Sequence, residues 1–217
     1  MKKYILFFLI FSCFYGQSQK PLLTEDSYNQ KQWVDSVYSK LNIDQKIGQL
    51  FTVWVATKYG DDEIRHISKL IKDHHLGGLI FSLGNIKDQA KAINKFQEIS
   101  KVPLLISMDA EWGIGMRLDD AFSFPYNMTL GAIKNDSLVY NVGKRIGYHA
   151  KRLGVHINFA PVVDINTNPR NPIIGSRSFG EDKFNVANKG ISYLKGMHEY
   201  GIMGAAKHFP GHGDTET

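Results

Sequence analysis

Cysteine is almost absent from this sequence, whose 217 residues contain only one, Cys13. A disulfide framework needs pairs of cysteines and a cysteine-rich metal site needs several, so the composition excludes both. The chain also lacks a strong charge of one sign, because 26 Lys+Arg against 21 Asp+Glu give a formal net charge of +5. Proteins that bind nucleic acid usually carry a basic stripe, which a surplus of this size does not supply. We therefore expect no nucleic-acid partner.

Long hydrophobic runs are lacking too, apart from the first segment of the chain. Two lysines precede an uncharged apolar run at 4–14, and Gly16 and Ser18 follow at the spacing that signal peptidase recognises. The run is about half the length that spans a bilayer as a helix. We therefore predict a signal peptide at 1–18 and an exported protein, periplasmic or secreted, without a transmembrane segment.

Two other interpretations of this first segment stay open. It could be a buried N-terminal strand, although its basic start and the polar residues after it argue against that. Residues 10–13 also resemble a loose lipoprotein signal, in which Cys13 would carry a lipid anchor and tether the protein to a membrane. Phe11 fits that pattern poorly. A polar segment at 19–30 follows in every case.

The body of the chain, 31–217, alternates apolar β-branched runs with segments of helical periodicity. We predict strands at 51–56, 79–82, 102–108, 155–163 and 202–206, and helices at 33–41, 43–50, 61–74, 85–100, 136–153 and 184–200. Strands separated by helices are typical of parallel βαβ units. The strands are nearly continuous apolar runs, which predicts that both of their faces are buried. Asp61 and Asp62 are predicted to cap the helix that they begin.

Polar residues collect just after the ends of the third, fourth and fifth predicted strands. In a (β/α)8 barrel, the carboxyl ends of the strands form the active-site face. A doubly wound dinucleotide-binding sheet is the other parallel architecture, but no Gly-rich phosphate loop follows the first strand. We therefore predict an α/β fold of the (β/α)8 TIM-barrel type, of which this chain supplies about the first five βα units.

The most informative polar stretch, 207–215, contains Lys207, His208 and His212. It covers the end of the fifth strand and a Pro-Gly turn, which prevents a helix from continuing. The two histidines therefore do not share a helical face, which argues against a zinc site of the helical type. A metal site formed by the loop, or two histidines hydrogen-bonded within a structured turn, are the alternatives to a functional cluster. We favour the cluster and expect no metal.

A carboxylate and an aromatic ring follow the third strand. Asp109 comes directly after it, where a carboxylate suits hydrogen bonding to sugar hydroxyls, and Trp112 offers an apolar face nearby. Asp109 could instead cap the following turn. At the end of the fourth strand, Asp164 is expected to accept hydrogen bonds from loop donors rather than to act as a catalyst.

The long segment 168–182 is predicted to be a functional loop. It has two Asn-Pro steps and no helix signal, and long ordered loops of barrels commonly carry function. Arg177 is its natural ligand for a polar substrate. The structural alternative is an ion pair of Arg177 with Glu181 or Asp182 that holds the loop in place.

From 43 to 217 these motifs together resemble the N-terminal barrel of the family 3 glycoside hydrolases. The run Lys-His-Phe-Pro-Gly-His-Gly at 207–213 resembles the family's exo-β-N-acetylglucosaminidases, and 158–164 and 175–180 match family patterns in the same order. The family's usual Asp-Gln-Glu-Gly-Gly reads Asp-Ala-Glu-Trp-Gly at 109–113, which keeps both carboxylates and changes the loop on which aglycone preference depends. The resemblance implies five substrate-binding residues: Asp109, Arg117, Arg177, Lys207 and His208.

The activity implied by this resemblance is that of a retaining exo-glycosidase. It would release terminal β-linked N-acetylglucosamine from cell-wall or chitin-type oligosaccharides, without a metal or another cofactor. The resemblance places the acid/base histidine and the nucleophilic aspartate after Thr217, so we expect no catalytic residue in this chain and expect the chain alone to be inactive. About five of eight barrel strands cannot close a barrel and leave open sheet edges, so we also expect the chain alone to be poorly folded. The alternatives are a β-glucosidase or β-xylosidase of the same family, a metal-dependent hydrolase, and a non-catalytic sugar-binding relative.

Overall fold

The computed structural model describes residues 26–216. The predicted signal peptide at 1–18, with the lipid-anchor candidate Cys13, lies outside these residues. The chain divides into two compact units, one ending at Lys40 and the other beginning at Leu41. Within 26–216, no helix combines the length and the apolar character needed to cross a membrane.

The described part of the first unit is a helix, α1 (Ser27–Tyr38), which begins before the predicted start at 33. The carboxylate of Asp26 caps it by accepting a hydrogen bond from the backbone N–H of Asn29 at 3.1 Å. None of the residues of α1 is buried, and the Trp33 side chain on it is exposed.

The second unit is built on one parallel sheet whose five strands follow each other in chain order. The strands are β1 (Thr52–Val55), β2 (Gly78–Phe81), β3 (Leu105–Met108), β4 (Ile157–Asn158) and β5 (Met203–Gly204). The helices are α2 (Ile43–Gly48), α3 (Gly60–His74), α4 (Ile86–Ile99), α5 (Asn127–Gly131), α6 (Asp136–Arg152) and α7 (Lys183–His198). The predicted parallel α/β class is confirmed. A strictly sequential strand order is that of a barrel wall, because a doubly wound sheet reverses its order at a switch point.

The two faces of the sheet differ in burial. Val55, Phe81 and Met108 lie side by side in the strand register and are buried in one hydrophobic core with residues of α3 and α4. Burying each such side chain stabilises the fold by about 1.5–3 kcal/mol. On the opposite face, Trp54 is 46% exposed and Leu105 44%. The prediction that both strand faces are buried is therefore wrong for the described residues, because the helices cover only one of them.

Side-chain caps mark the starts of α4 and α7, but the cap predicted for α3 is absent. Asn85 caps α4 by accepting from the N–H of Asp88 at 2.9 Å, and Asp182 caps α7 by accepting from the N–H of Asn185 at 2.7 Å. The predicted capping of α3 by Asp61 and Asp62 is wrong, since α3 begins at Gly60 without a side-chain cap. Both aspartates lie instead in its first turn, where their charges interact favourably with the helix dipole.

Helices α6 and α7 approach each other closely through glycines. A Cβ atom on Gly143 of α6 would lie 2.2 Å from the carbonyl oxygen of Tyr193 of α7. A Cβ atom on Gly196 of α7 would lie 2.1 Å from the carbonyl oxygen of Tyr140 of α6. This close contact fixes the position of α7 against α6, and with it the position of Tyr193, whose side chain is fully buried.

The fourth and fifth strands are shorter than predicted, and the reason is a turn after β4. The N–H of Ala160 donates to the carbonyl of Asn158 at 2.8 Å, and Pro161 has no N–H to offer a neighbouring strand. Pairing resumes as a single parallel bridge between Val162 and Lys207. There the N–H of Val163 donates to the carbonyl of Lys207 at 2.7 Å. This bridge fixes Lys207 at the carboxyl edge of the sheet.

Candidate functional site

Charged side chains meet at the carboxyl edge of the sheet. Asp109 and Glu111 directly follow β3, Asp164 follows β4 and Lys207 follows β5. Because neighbouring parallel strands end at the same edge, residues far apart in sequence come together there. Arg117 reaches this edge from a short helical turn at 114–116.

Lys207 lies between the two carboxylates that follow β3. Its Nζ is 2.9 Å from Asp109 Oδ1 and 2.9 Å from Glu111 Oε1. The Glu111 side chain is only 1% exposed, so its charge has no access to water. A buried carboxylate without cations would be strongly unfavourable, and Lys207 supplies one of them.

Arg177 supplies the other cation to Glu111, through a bidentate contact. Its Nε donates to Oε2 at 2.9 Å and its Nη2 to Oε1 at 2.7 Å, while Nη1 donates to the carbonyl of Ile173 at 3.1 Å. The loop 168–182 thereby presents Arg177 at the site. The structure gives Arg177 this partner in place of the ion pair with Glu181 or Asp182 that the sequence left open.

These contacts determine how Glu111 ionises. Burial by itself raises the pKa of a carboxyl group, but the hydrogen bonds from Arg177 and Lys207 outweigh it. The pKa of Glu111 is therefore held below its ordinary value, and hydrogen bonding to Glu111 raises the pKa of Arg177. The pair is charged at neutral pH.

Arg117 extends the set to five alternating charges. Its Nη2 lies 3.1 Å from Asp109 Oδ2 and its Nε donates to the Asp109 carbonyl at 3.2 Å. The resulting charge chain, which is positive at both ends, runs in the order Arg117, Asp109, Lys207, Glu111, Arg177. Its middle is the most buried part, with Lys207 16% and Glu111 1% exposed. Both ends reach solvent, since Arg117 and Asp109 are each 27% exposed at one end and Arg177 is 24% exposed at the other. The Asp109–Arg117 end presents a fixed carboxylate and fixed N–H donors, which is what the hydroxyl groups of a ligand require.

Two buried polar side chains hold the backbone under this charge chain. Asn158 accepts from the N–H of Ala110 at 2.9 Å and donates to its carbonyl at 3.1 Å. The Tyr193 hydroxyl donates to the carbonyls of Ala110 and Glu111, at 3.2 and 3.0 Å. Burial raises the pKa of Tyr193, so this hydroxyl is a neutral donor. The sequence analysis missed Tyr193, since an aromatic residue on the apolar face of a helix has no local signal for such a role.

Asp164 organises the loop that follows β5. Its side chain is 1% exposed and accepts hydrogen bonds from the backbone N–H of His208, at 3.2 Å, and of His212, at 2.8 Å. Its Oδ2 also lies 2.6 Å from His208 Nδ1. An ionised carboxylate only accepts, so Nδ1 carries the proton and Nε2 is the ring nitrogen left for a ligand. Asp164 thus accepts from loop donors, as its position predicts.

Hydrogen bonds also join the loop 168–182 to the loop that follows β5. The side chain of Asn171 donates to the carbonyl of His212 at 2.6 Å, and that of Asn168 donates to the carbonyl of Asp214 at 3.1 Å. His212 Nδ1 lies 2.6 Å from the hydroxyl of Thr215, which gives His212 a place in the structured turn. In the described part of the chain, no three His, Cys, Asp or Glu side chains are grouped so as to hold a metal ion.

The sequence-predicted residues therefore fall into two neighbouring groups. Four of them, Asp109, Arg117, Arg177 and Lys207, belong to the single charge chain. His208 belongs instead to a second group, in which it contacts Asp164. Both residues line a cavity of about 480 Å³.

Comparison with known proteins places these residues in a family context. Residues 42–217 match the model of the glycosyl hydrolase family 3 N terminal domain. The chain is 35% identical over 184 residues to a β-N-acetylglucosaminidase/β-glucosidase of Cellulomonas fimi, covering 85% of this chain and 32% of that protein. It is 38% identical over 162 residues to β-hexosaminidase A of Pseudoalteromonas piscicida, covering 69% of this chain and 27% of the relative.

Solved structures of known proteins also superpose on the chain. A family 3 β-N-acetylglucosaminidase from Paenibacillus sp. str. FPU-7 superposes with a TM-score of 0.73 at 38% identity, over 82% of this chain and 35% of the other. The β-glucoside phosphorylase BglX superposes with a TM-score of 0.79 at 28% identity, over 86% and 33%. These matches confirm the predicted barrel-type fold class. The chain spans about a third of the length of these proteins.

Proposed function

Because the chain belongs to family 3 of the glycosyl hydrolases, we propose that it forms the sugar-binding wall of an exo-acting, retaining β-N-acetylglucosaminidase. The observation that carries the proposal is the charge chain from Arg117 to Arg177 at the carboxyl edge of the sheet. The names of the Cellulomonas fimi and Paenibacillus relatives support the substrate class.

In this proposal the charge chain recognises the terminal sugar. The carboxylate of Asp109 accepts from sugar hydroxyls, and Lys207 and Arg117 donate to the same ring. Hydrogen bonds to charged groups are worth about 1.5–3 kcal/mol each. The ion pairs hold these groups before the sugar arrives, so little reorganisation is needed on binding. His208, oriented by Asp164, offers Nε2 as a further contact.

The chain itself is assigned binding and orientation. In a retaining glycosidase, one group attacks the anomeric carbon and another protonates the leaving oxygen. We assign both groups to the portion of the family enzymes that this chain does not span. We assign neither Asp109 nor Glu111 as the attacking group, because Lys207 holds both carboxylates in ion pairs and Glu111 is buried.

Export is part of the same proposal. The basic start, the apolar run at 4–14 and the small residues after it support a secreted or periplasmic enzyme. Cell-wall and chitin-type oligosaccharides would be met in those compartments.

Hydrolysis of aryl glycosides by the protein expressed from its complete gene tests the activity. We expect the p-nitrophenyl β-N-acetylglucosaminide to be cleaved with retention, which proton NMR of the first-formed anomer detects. A β-glucosidase is the second candidate, because the Cellulomonas fimi relative carries both names. Much faster turnover of the β-glucoside would favour that candidate over the first.

A further inference from the structure

Two aromatic rings contact each other close to the charge chain. The ring centroids of Trp112 and Tyr126 lie 4.7 Å apart, in an edge-to-face arrangement of 75°. Trp112 is partly exposed and Tyr126 is 49% exposed. Such pairs contribute about 0.5–1.5 kcal/mol beyond the area that they bury. The contact between the rings limits their motion, and both rings remain partly exposed to solvent.

Both rings lie next in the chain to residues that form or contact the Glu111–Arg177 ion pair. Trp112 directly follows Glu111 in the chain. On the other side, Asn127, which directly follows Tyr126, donates its Nδ2 to the carbonyl of Arg177 at 2.8 Å. One ring therefore directly follows Glu111, and the other lies next to a residue that contacts the backbone of Arg177, which brings the aromatic pair beside the polar site.

Core packing does not account for this pair. Phe124, two residues before Tyr126, packs against the hydrophobic core and lies against the backbone of Gly113. Its N–H donates to the carbonyl of Trp112 at 2.8 Å, which anchors the segment. Trp112 and Tyr126 are not part of that core. Phe124 therefore fixes the segment, and the other two rings are available to a ligand.

Pyranose rings have two kinds of surface, hydroxyl edges and C–H faces. The charge chain suits the hydroxyl edges, and partly exposed aromatic rings suit the C–H faces, as in sites that combine apolar walls with a few fixed polar groups. We propose that Trp112 and Tyr126 form an aromatic platform for the second pyranose of the substrate, the sugar on the leaving-group side of the cleaved bond. This inference rests on the proposed function and deepens it by naming what lies beyond the terminal sugar.

Steady-state kinetics of the protein expressed from its complete gene test the platform. The substrate is N,N′-diacetylchitobiose, which occupies both sugar positions, and the probe for the terminal position is inhibition by free N-acetylglucosamine. We expect Trp112→Leu to lower kcat/KM for the disaccharide about tenfold and to change the inhibition constant of the monosaccharide less than twofold. Tyr126→Leu should act in the same direction, and Trp112→Phe should restore most of the loss.

Phe122→Leu is the matched control, because Phe122 is an exposed ring of the same segment that contacts Phe124 rather than the pair. It should leave both constants unchanged. The platform is overturned if Trp112→Leu spares the disaccharide, or if it weakens the monosaccharide equally, which would make Trp112 a support of the loop. If the wild-type protein neither cleaves nor binds these sugars, the proposed function itself fails and the platform fails with it.

Discussion

Arg177 binds Glu111 through two parallel hydrogen bonds, of 2.9 and 2.7 Å, between residues 66 positions apart. Only a planar guanidinium makes this contact, so Arg177→Lys should lose one of the two bonds. In the protein expressed from its complete gene, we expect a loss of about 1.5–3 kcal/mol in the free energy of unfolding, measured with urea. Arg170→Lys is the control, because Arg170 pairs with Glu216 at the surface and such pairs contribute about 0–1 kcal/mol. Equal, small losses in the two variants would contradict the prediction.

Acid should weaken this part of the fold through Glu111. Its pKa in the folded protein is below its ordinary value of 4.5, so its ionised form stabilises the fold above that pH. The contribution is lost as the pH falls through the folded-state pKa. We therefore expect the free energy of unfolding to drop more between pH 5 and pH 3 in the wild type than in Glu111→Gln, which lacks this titration. Parallel pH profiles would show that Glu111 does not carry the effect.

Sugar recognition should depend on Asp109 and Lys207. In the protein expressed from its complete gene, Asp109→Ala or Lys207→Ala should lower kcat/KM for the β-N-acetylglucosaminide roughly tenfold to a hundredfold, because each removes a charged hydrogen bond to the sugar. Lys91→Ala, an exposed lysine of α4, is the control. Unchanged kinetics in either site variant would reduce that residue to a structural role.

The buried hydroxyl of Tyr193 should matter for both stability and binding. Tyr193→Phe leaves the carbonyls of Ala110 and Glu111 without this donor, at a cost of about 1–3 kcal/mol. Because the same backbone carries Asp109, KM for the sugar should rise as well. Tyr148→Phe, at a partly exposed tyrosine of α6, serves as the comparison for losing a hydroxyl. A stability loss with unchanged KM would confine Tyr193 to the fold.

The close contact of α6 and α7 should not tolerate a methyl group. In a helix interior, alanine is favoured over glycine by about 0.5–1 kcal/mol. At Gly143, however, the new Cβ would lie 2.2 Å from a backbone oxygen, and overpacking typically costs about 1–3 kcal/mol. In the protein expressed from its complete gene, thermal unfolding of Gly143→Ala should show a lower Tm, whereas Asn188→Ala on the exposed face of α7 should be neutral or stabilising. A rise in Tm for Gly143→Ala would show that the helices can separate.

Much of the site could be predicted because polar residues stand out after apolar strands. The carboxylate of Asp109 and the basic pair at 207 and 208 each follow a run that must be buried, and parallel strands bring such ends to one edge. The roles of Asn158 and Tyr193 could not be predicted, because these residues lie within a strand and a helix rather than after a strand end. Nothing in their local pattern distinguishes a backbone support from an ordinary core residue.

The sequence by itself determined the five strands in their order, the longer helices between them and the residues that follow the strand ends, because periodicity and capping act between near neighbours in the chain. It did not show the short helix α5, and it placed the fourth and fifth strands over too many residues. The tertiary structure decided which charges meet. Arg177 binds Glu111 rather than a carboxylate of its own loop, and β4 shortens where the chain turns before Pro161. It also decided that Trp54 faces solvent. These outcomes depend on strand register and on which elements pack against each face, relationships between distant residues that no local pattern contains.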